Sequence, residues 1–280
     1  MLRNAFAYIT RKWPKSLLLF AIILLMGTLS LIGLSMKGAT QKASSESLGS
    51  ITNSFSMQIN RRTNPGTPRG AGNLRGEDIE KISQVEGITS SIKRINAIAD
   101  ILDHEIIETE ETLQNQSPER AKHFKNTLMV TGVNDSSKED KFVSGAYKLV
   151  QGEHLTDKDK NQILMHEDLA KKNGLKVGDK VRLKSNLYDA DNEKGANETV
   201  EVTIKGLFSG KNQAPLTYAQ ELYEDTLISD LDTAAKLYGN TVQTATYEDA
   251  TFFAKGDQDL DKLIEKIKAL DIPWNYYDLV

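Results

Sequence analysis

The apolar positions of this chain change pattern at Met36. From Ser16 to Met36 they are nearly unbroken: SLLLFAIILLMGTLSLIGLSM holds no charge, and after Ser16 only Thr28, Ser30 and Ser35 bring hydroxyls into it. As a helix rising about 1.5 Å per residue, the stretch spans roughly 31 Å, the hydrocarbon thickness of a bilayer. A soluble helix of that length would show a polar stripe where it meets water. The pattern predicts a transmembrane helix over 16–36. A secretory signal has a shorter apolar core, of about 7 to 15 residues, so the segment is expected to stay attached. Within it, Gly27, Ser30 and Gly33 recur every third residue and form a small-residue face suited to close helix packing.

Ahead of this span, residues 1–15 place Leu2, Phe6, Ile9 and Trp13 at roughly helical spacing. That spacing fits a short cytoplasmic interfacial helix, with Arg11, Lys12, Trp13 and Lys15 at the membrane interface; the alternative is a plain basic leader. Pro14 tolerates an elbow between the two segments.

After a polar linker or helix extension over 37–50, the period changes. Phe55, Met57 and Ile59 alternate as in a strand over 51–60, and the loop RRTNPGTPRGAGNLRG follows. Ile79, Ile82 and Val85 then return at helical spacing behind Glu77 and Asp78, and Gly87 ends that helix. A strand over 88–102 completes a β-α-β unit. The middle of the chain reads as short strands at 128–133, 163–165, 180–184 and 200–204, with a helix at 167–173 stopped by Gly174. Asp230 is placed to cap a helix over 231–238, and Asp257 to cap one bearing Leu260, Ile264, Ile267 and Leu270. Strands at 247–254 and 274–280 flank the latter and make a second β-α-β unit. Its Ile264, Ile267, Leu270 spacing repeats that of Ile79, Ile82, Val85, which suggests two related halves around an inserted β-rich segment.

Charge sharpens the membrane reading. Residues 1–45 hold six Lys/Arg and no acid, which leaves 29 basic against 39 acidic residues, net −10, in 46–280. The positive-inside bias puts the N-terminus in the cytoplasm and residues 37–280 outside. A basic inner edge suits anionic lipid headgroups, whereas an acidic exterior is a poor nucleic-acid binder. The absence of cysteine removes disulfides, thiol catalysis and thiolate metal sites.

Chemistry-bearing motifs are defective. Gly206-Leu-Phe-Ser-Gly-Lys-Asn imitates a phosphate loop but has three residues between its glycines where four are needed, and Asn212 stands where Ser or Thr should bind magnesium. Asp157, Asp159, Asn161 and Asp168 imitate a calcium loop, yet Gln162 replaces the turn glycine and the bidentate glutamate is missing. Asp189, Asp191 and Glu193 fail similarly, with Lys194 at the glycine position. His104, His123, His154 and His166 show no zinc spacing, and no GxSxG elbow is present. The sequence therefore names no cofactor, no metal and no catalytic residue, and enzymatic function is not expected.

Taken together, VTGV at 130–133, GEHLTDKD at 152–159, LAKKNGLKVGDKVRLK at 169–184 and VTIKGLF at 202–208 resemble the first half of a MacB-type ABC-transporter permease. With INRRTNPGTPRGAGN and GVNDSSKEDKFVSGAYKLV, the chain is more narrowly similar to the Vex-type permeases of Gram-positive bacteria. The resemblance implies an α+β extracellular MacB-like domain behind the N-terminal transmembrane helix. Its porter-like part would comprise 51–129 and 216–280, with a β-rich sabre-like lobe inserted at 130–215. It also implies an ABC ATPase subunit as partner, pairing with a second permease copy or a paralogue, and export or mechanotransmission driven by ATP hydrolysis in the partner. Permeases of this family carry three more membrane helices after the external domain, so a fragment of a four-helix permease is expected. The competing reading is a single-pass, membrane-anchored extracellular binding or sensor domain. No motif selects a transported substrate.

The length of the apolar run and the charge asymmetry across it set the first test. Protease added to intact protoplasts is expected to digest the chain from Gln41 onward; full protection would reverse the topology.

Overall fold

The computed structural model describes residues 53–67, 73–115, 117–212, 221–256 and 259–280, together with Pro14, Leu24 and Met26. The chain divides into two compact units, 1–52 and 53–280. In the first, the three described positions are helical and exposed. Apart from Leu24 and Met26, the expected span over 16–36 lies outside the described residues. So do the interfacial Arg11, Lys12, Trp13 and Lys15 and the small-residue face of Gly27, Ser30 and Gly33. Among the described residues no helix is long and apolar enough to cross a membrane.

The second unit opens with β1 (Ser54–Ile59), β2 (Leu74–Arg75), α1 (Gly76–Ser83) and β3 (Ile88–Leu102). Glu77 and Asp78 sit in the first turn of α1, where the helix dipole favours negative charge, and Ile79 and Ile82 are buried. Next come α2 (Glu110–Gln114), α3 (Pro118–His123), β4 (Thr127–Val133), α4 (Asp140–Val143), β5 (Lys148–Gly152) and β6 (Gln162–His166). They are followed by α5 (Glu167–Lys172), β7 (Lys180–Ser185), β8 (Thr199–Ser209), β9 (Thr226–Asp230) and α6 (Leu231–Leu237). The last elements are β10 (Thr246–Tyr247), β11 (Asp249–Ala254), α7 (Leu260–Lys268) and β12 (Tyr277–Leu279).

Asp230 caps α6 as the sequence implies, accepting from Thr233 N (2.9 Å), and it also accepts from Gln162 N of β6 (2.9 Å). The cap of α7 is Asp259, which accepts from Lys262 N; the expected Asp257 lies outside the described residues. Two residues closer to Leu260, Asp259 is the carboxylate that reaches the free amides of the first turn. The phosphate-loop imitation is not a loop at all. Gly206 to Ser209 form the end of β8, and a Cβ on Gly206 would stand 2.9 Å from Gln151 O.

Strands β12, β1, β11 and β3 lie side by side in that order, so the first and last β-α-β units share one sheet. Both of their helices bury into one core through Ile79, Ile82, Leu263 and Ile267. Lys81 of α1 donates to Asp271 O, just beyond α7 (2.9 Å). The middle of the chain, expected to fold outside this sheet, is hydrogen-bonded into it. From β3 the pairing runs on through β4, β9, β6 and β8, and β7 bonds to both β8 and β3. Those six strands close a ring. β9, which follows residue 215, belongs to this ring by pairing, and α6 packs on it. The expected boundary there therefore falls inside a hydrogen-bonded assembly.

The reason is the length of β3. At 15 residues it runs about 50 Å, far past the six-residue β11, and its remaining backbone groups need other partners. One edge pairs with β11 over 88–94 and then with β7 over 99–102, while the other pairs with β4 over 94–100. In the ring, alternate residues point to opposite faces. Val130, Ile163, Met165 and Leu227 enter the main core; Val133, Leu164, Phe208 and Ile228 enter a second cluster beneath Phe142 and Tyr223. Helix α6 packs on β3, β4, β9 and β8, and it comes so close that a Cβ on Gly132 would stand 2.4 Å from Ala234 Cβ.

That approach is testable by exchange. Gly132→Ala is expected to lower stability by about 1–3 kcal/mol through overpacking. Adding Ala234→Gly should recover part of the loss in urea unfolding, despite the helix-propensity cost of about 1 kcal/mol. A double variant no more stable than Gly132→Ala would refute the contact.

Candidate functional site

The place where β3 changes partners is held by two side chains. Arg94 sits at the crossing, where its registers with Asp249 of β11 and Val133 of β4 coincide. Its Nη1 donates to Asp249 Oδ2 (3.0 Å), and its Nη2 donates to Asp140 Oδ2 (2.5 Å), with Glu139 Oε1 at 3.9 Å. One guanidinium thus ties the sheet strand β11 to α4, which covers the outer face of the ring. Burial works against the Arg94 charge, but Asp249, Asp140 and Glu139 more than offset it and hold the guanidinium above its ordinary range. Asp249 is raised by burial, with Arg94 pulling the other way.

Within α4, Lys141 Nζ donates to Tyr147 Oη (3.2 Å) and lies over the rings of Tyr147 and Tyr223. Burial depresses this ammonium, and the nearby Arg94 adds to the effect against the pull of Glu139 and Asp140. Aromatic faces supply part of the stabilisation that water would give.

Between the end of the β11 pairing and the start of the β7 pairing, one edge of β3 has no strand beside it. Ile98 N–H donates there to Tyr238 Oη (2.9 Å), and that hydroxyl in turn donates to Asp189 Oδ2. Tyr238, just past α6, stands in for the missing strand. A cleft of about 640 Å³ opens beside it, with Arg75, Glu193, Lys194, Asn240 and Tyr276 on its walls. Lys194 is committed to Gly239 O and Asn240 Oδ1, and Arg75 makes an exposed 3.5 Å contact to Glu77. The cleft joins residues of the sheet side to the β7–β8 loop and the exit of α6.

The acids and histidines singled out in the sequence do not converge. Asp159 accepts from Thr156 N (2.7 Å) and from the Lys205 ammonium (2.8 Å), as a turn residue. Asp189 supports Tyr238, and Lys194 anchors the start of the strand-linking segment at Gly239. His166 caps α5, accepting from Asp168 N at Nδ1 (3.1 Å), so its Nε2–H donates to Gly210 O (2.9 Å). His154 pairs with Ser136 Oγ (2.9 Å), and His123 stacks on Tyr188. Among the described residues no three of His, Asp and Glu are grouped as metal ligands would be. Sequence reading passed over Arg94 and Tyr238. The available signal was the charged pair Lys93-Arg94 in the centre of a β-branched run, which a strand buried on both sides would not carry without partners.

A family model described as the MacB-like periplasmic core domain matches residues 16–270. The chain is 23% identical over 306 aligned positions to an uncharacterized ABC transporter permease, YclI, of Bacillus subtilis strain 168, in an alignment covering 99% of this chain and 61% of that protein. The chain thus spans about 61% of the length of that relative. Solved structures of similar shape include the periplasmic region of MacB from Actinobacillus actinomycetemcomitans, at TM-score 0.46 and 14% identity over 85% of this chain and 93% of the other. Another is the extracellular domain of the noncanonic ABC-type transporter YknZ from Gram-positive bacteria, at TM-score 0.42 and 12% identity over 81% of this chain and 100% of the other.

Replacing Arg94 isolates its role. Arg94→Met leaves Asp249, Asp140 and Glu139 without their cation, and an uncompensated half-buried charge costs about 3–5 kcal/mol at neutral pH. Asp249 is raised, so its stabilising contribution is complete below the ordinary carboxylate range and fades as pH rises. Without Arg94 that fading deepens. The variant's deficit in urea unfolding is expected to be largest at pH 7.5 and to shrink toward pH 4.5; a deficit independent of pH would exclude the electrostatic account.

Proposed function

The chain belongs to the MacB-like periplasmic core domain family, and on that premise we propose that it is the first membrane helix and external domain of an ABC-transporter permease that passes motion from the membrane to the outside. In this reading residues 16–36 cross the bilayer with residues 1–15 inside, and an ABC ATPase subunit supplies the hydrolysis this chain has no motif for. A second permease, a copy or a paralogue, completes the assembly. The porter-like part corresponds to β1, β11, β12, α1, α7 and the beginning of β3; the sabre-like lobe corresponds to the ring.

The observation that carries the reading is the shared strand. β3 runs unbroken from the sheet into the ring, and Arg94 pins both sides at the crossing. A joint of this kind carries the ring along when the sheet moves, because a strand is already extended backbone and does not stretch.

The test uses the absence of cysteine. A full-length permease carrying Lys255→Cys, with any cysteine outside residues 1–280 replaced so that this is its sole thiol, is spin-labelled and assembled with its ATPase. Nucleotide trapping is expected to shift the distance between the labels of the two permeases. Failure of any ATPase to co-purify, or an unchanged distance in an assembly that hydrolyses ATP, would overturn the proposal.

A further inference from the structure

At the end of the ring farthest from β11, residues 103–109 leave β3 and cross the mouth on their way to α2. We propose that Asp225 makes this segment a proton-controlled latch, closed while its carboxyl is neutral and loosened when the carboxyl ionises. The segment starts at Asp103, whose positive φ of 62° turns the chain out of the strand, and whose carboxylate pairs with Arg182 of β7. Three more residues clamp the backbone. Glu105 N–H donates to Asn173 Oδ1 (2.9 Å) and Asn173 Nδ2 donates back to Glu105 O (2.8 Å). Lys172 Nζ donates to Ile106 O (2.7 Å), and Ile107 N–H donates to Asp225 Oδ1 (2.7 Å). Held in this way, Ile106 is 4% exposed and belongs to the core of the ring.

Asp225 is the unusual member of the clamp. It is fully buried, and among the described residues its Oδ2 has no hydrogen-bond partner. A neutral carboxyl accepts the Ile107 N–H and is buried at modest cost. An ionised one in the same place would have one donor and no water, an arrangement that costs several kcal/mol unless something moves. The groups around it do not relieve this. Glu224 on its own turn and Glu108 on the segment repel it. Lys172 of α5 attracts it but is spent on Ile106 O and lies 3.5 Å from Glu105. His166 of β6, the strand packed behind that turn, is committed to Gly210 O and Asp168 N. Burial accordingly pushes the Asp225 carboxyl up to about 8, with Glu224 and Glu108 adding to it against Ile107 N–H and Lys172. Because the folded value is raised, the clamp is complete at pH values below the ordinary carboxylate range and weakens as pH climbs through about 8. Release of 103–109 lets water reach the charge without disturbing the six paired strands, so local opening is less costly than unfolding. A domain facing the outside medium would thereby present a closed ring mouth in acid or neutral surroundings and an open one in alkaline surroundings.

With no native cysteine, Ile106→Cys in the full chain reports opening through its rate of alkylation, normalised to a free thiol measured at the same pH. The normalised rate is expected to rise about tenfold per pH unit between the ordinary carboxylate range and about 8, where opening releases one proton, to level off above that, and to stay flat throughout when Asp225→Asn is added. A flat rate in the first background, or an equal rise in both, overturns the proposal. If the double variant does not fold, amide hydrogen exchange on the unaltered chain decides. Corrected for intrinsic base catalysis, protection over 103–109 must fall as pH is raised from about 5 to about 8 while protection in β4 holds, and unchanged protection over 103–109 rejects the latch. Neither result bears on ATPase pairing, so the latch and the transport reading fail separately.

Discussion

The structure depends on satisfying the backbone of one long strand. A strand of 15 residues directs the donor and acceptor of successive residues to alternate edges, and buried peptide groups left unpaired cost about 1–3 kcal/mol each. β3 is too long for the strands of the first and last β-α-β units. The rest of the chain completes its pairing: β4 along one edge, β7 along the other, and Tyr238 Oη in the interval where no strand fits. Closing the ring back onto β3 removes free edges that would otherwise invite pairing with other chains. The helix that carries Tyr238 to its place is itself admitted by the missing side chain of Gly132. The fold thus follows from one surplus of hydrogen-bonding groups and the ways found to meet it.

Arg94 lies where the two pairing regimes meet, and that position explains its three acidic neighbours. A single cation in the middle of a strand is tolerated when it is paired, and its fork geometry lets it hold groups on both sides at once. Lysine could not span Asp249 and Asp140 in this way. With no disulfide available, cohesion between sheet and ring rests on packing, on strand pairing and on this cluster. The same logic makes Asp225 stand apart, because there a carboxyl is buried beside other acids with its nearest cation already engaged elsewhere.

The functional class was readable because the external motifs are local: VTGV, GEHLTDKD and LAKKNGLKVGDKVRLK sit in continuous stretches, and the family match over residues 16–270 agrees with them. The site was not readable. Arg94, Asp140 and Asp249 are far apart in the chain, as are Ile98, Asp189 and Tyr238; the charged pair Lys93-Arg94 inside an apolar strand marks Arg94 as needing partners, but nothing local says which residues those partners are. The imitation motifs mislead for the same reason. Gly206 and Asp159 have plausible neighbours in sequence, yet their roles are set by Gln151 and Lys205, which only folding brings near.

By itself, the sequence determined many of the elements, though not β9, β5 or the short helices α2, α3 and α4. Side-chain period separates helix from strand within a few residues, and caps such as Asp230, stops such as Gly174 and Gly239, and the apolar faces of α1 and α7 are all short-range features. It also showed that each β-α-β helix exposes a stripe that must be buried, while the pairing of β12, β1, β11 and β3 is what puts both units on one sheet. What the tertiary structure decided was how the middle strands join them. The pattern of β4, β6, β7 and β8 is equally satisfied by a detached lobe or by a ring sharing β3, since alternation fixes which face is buried but not which edge is bonded. Edge pairing is a property of backbone groups, identical at nearly every residue, and so it leaves no trace in the order of side chains.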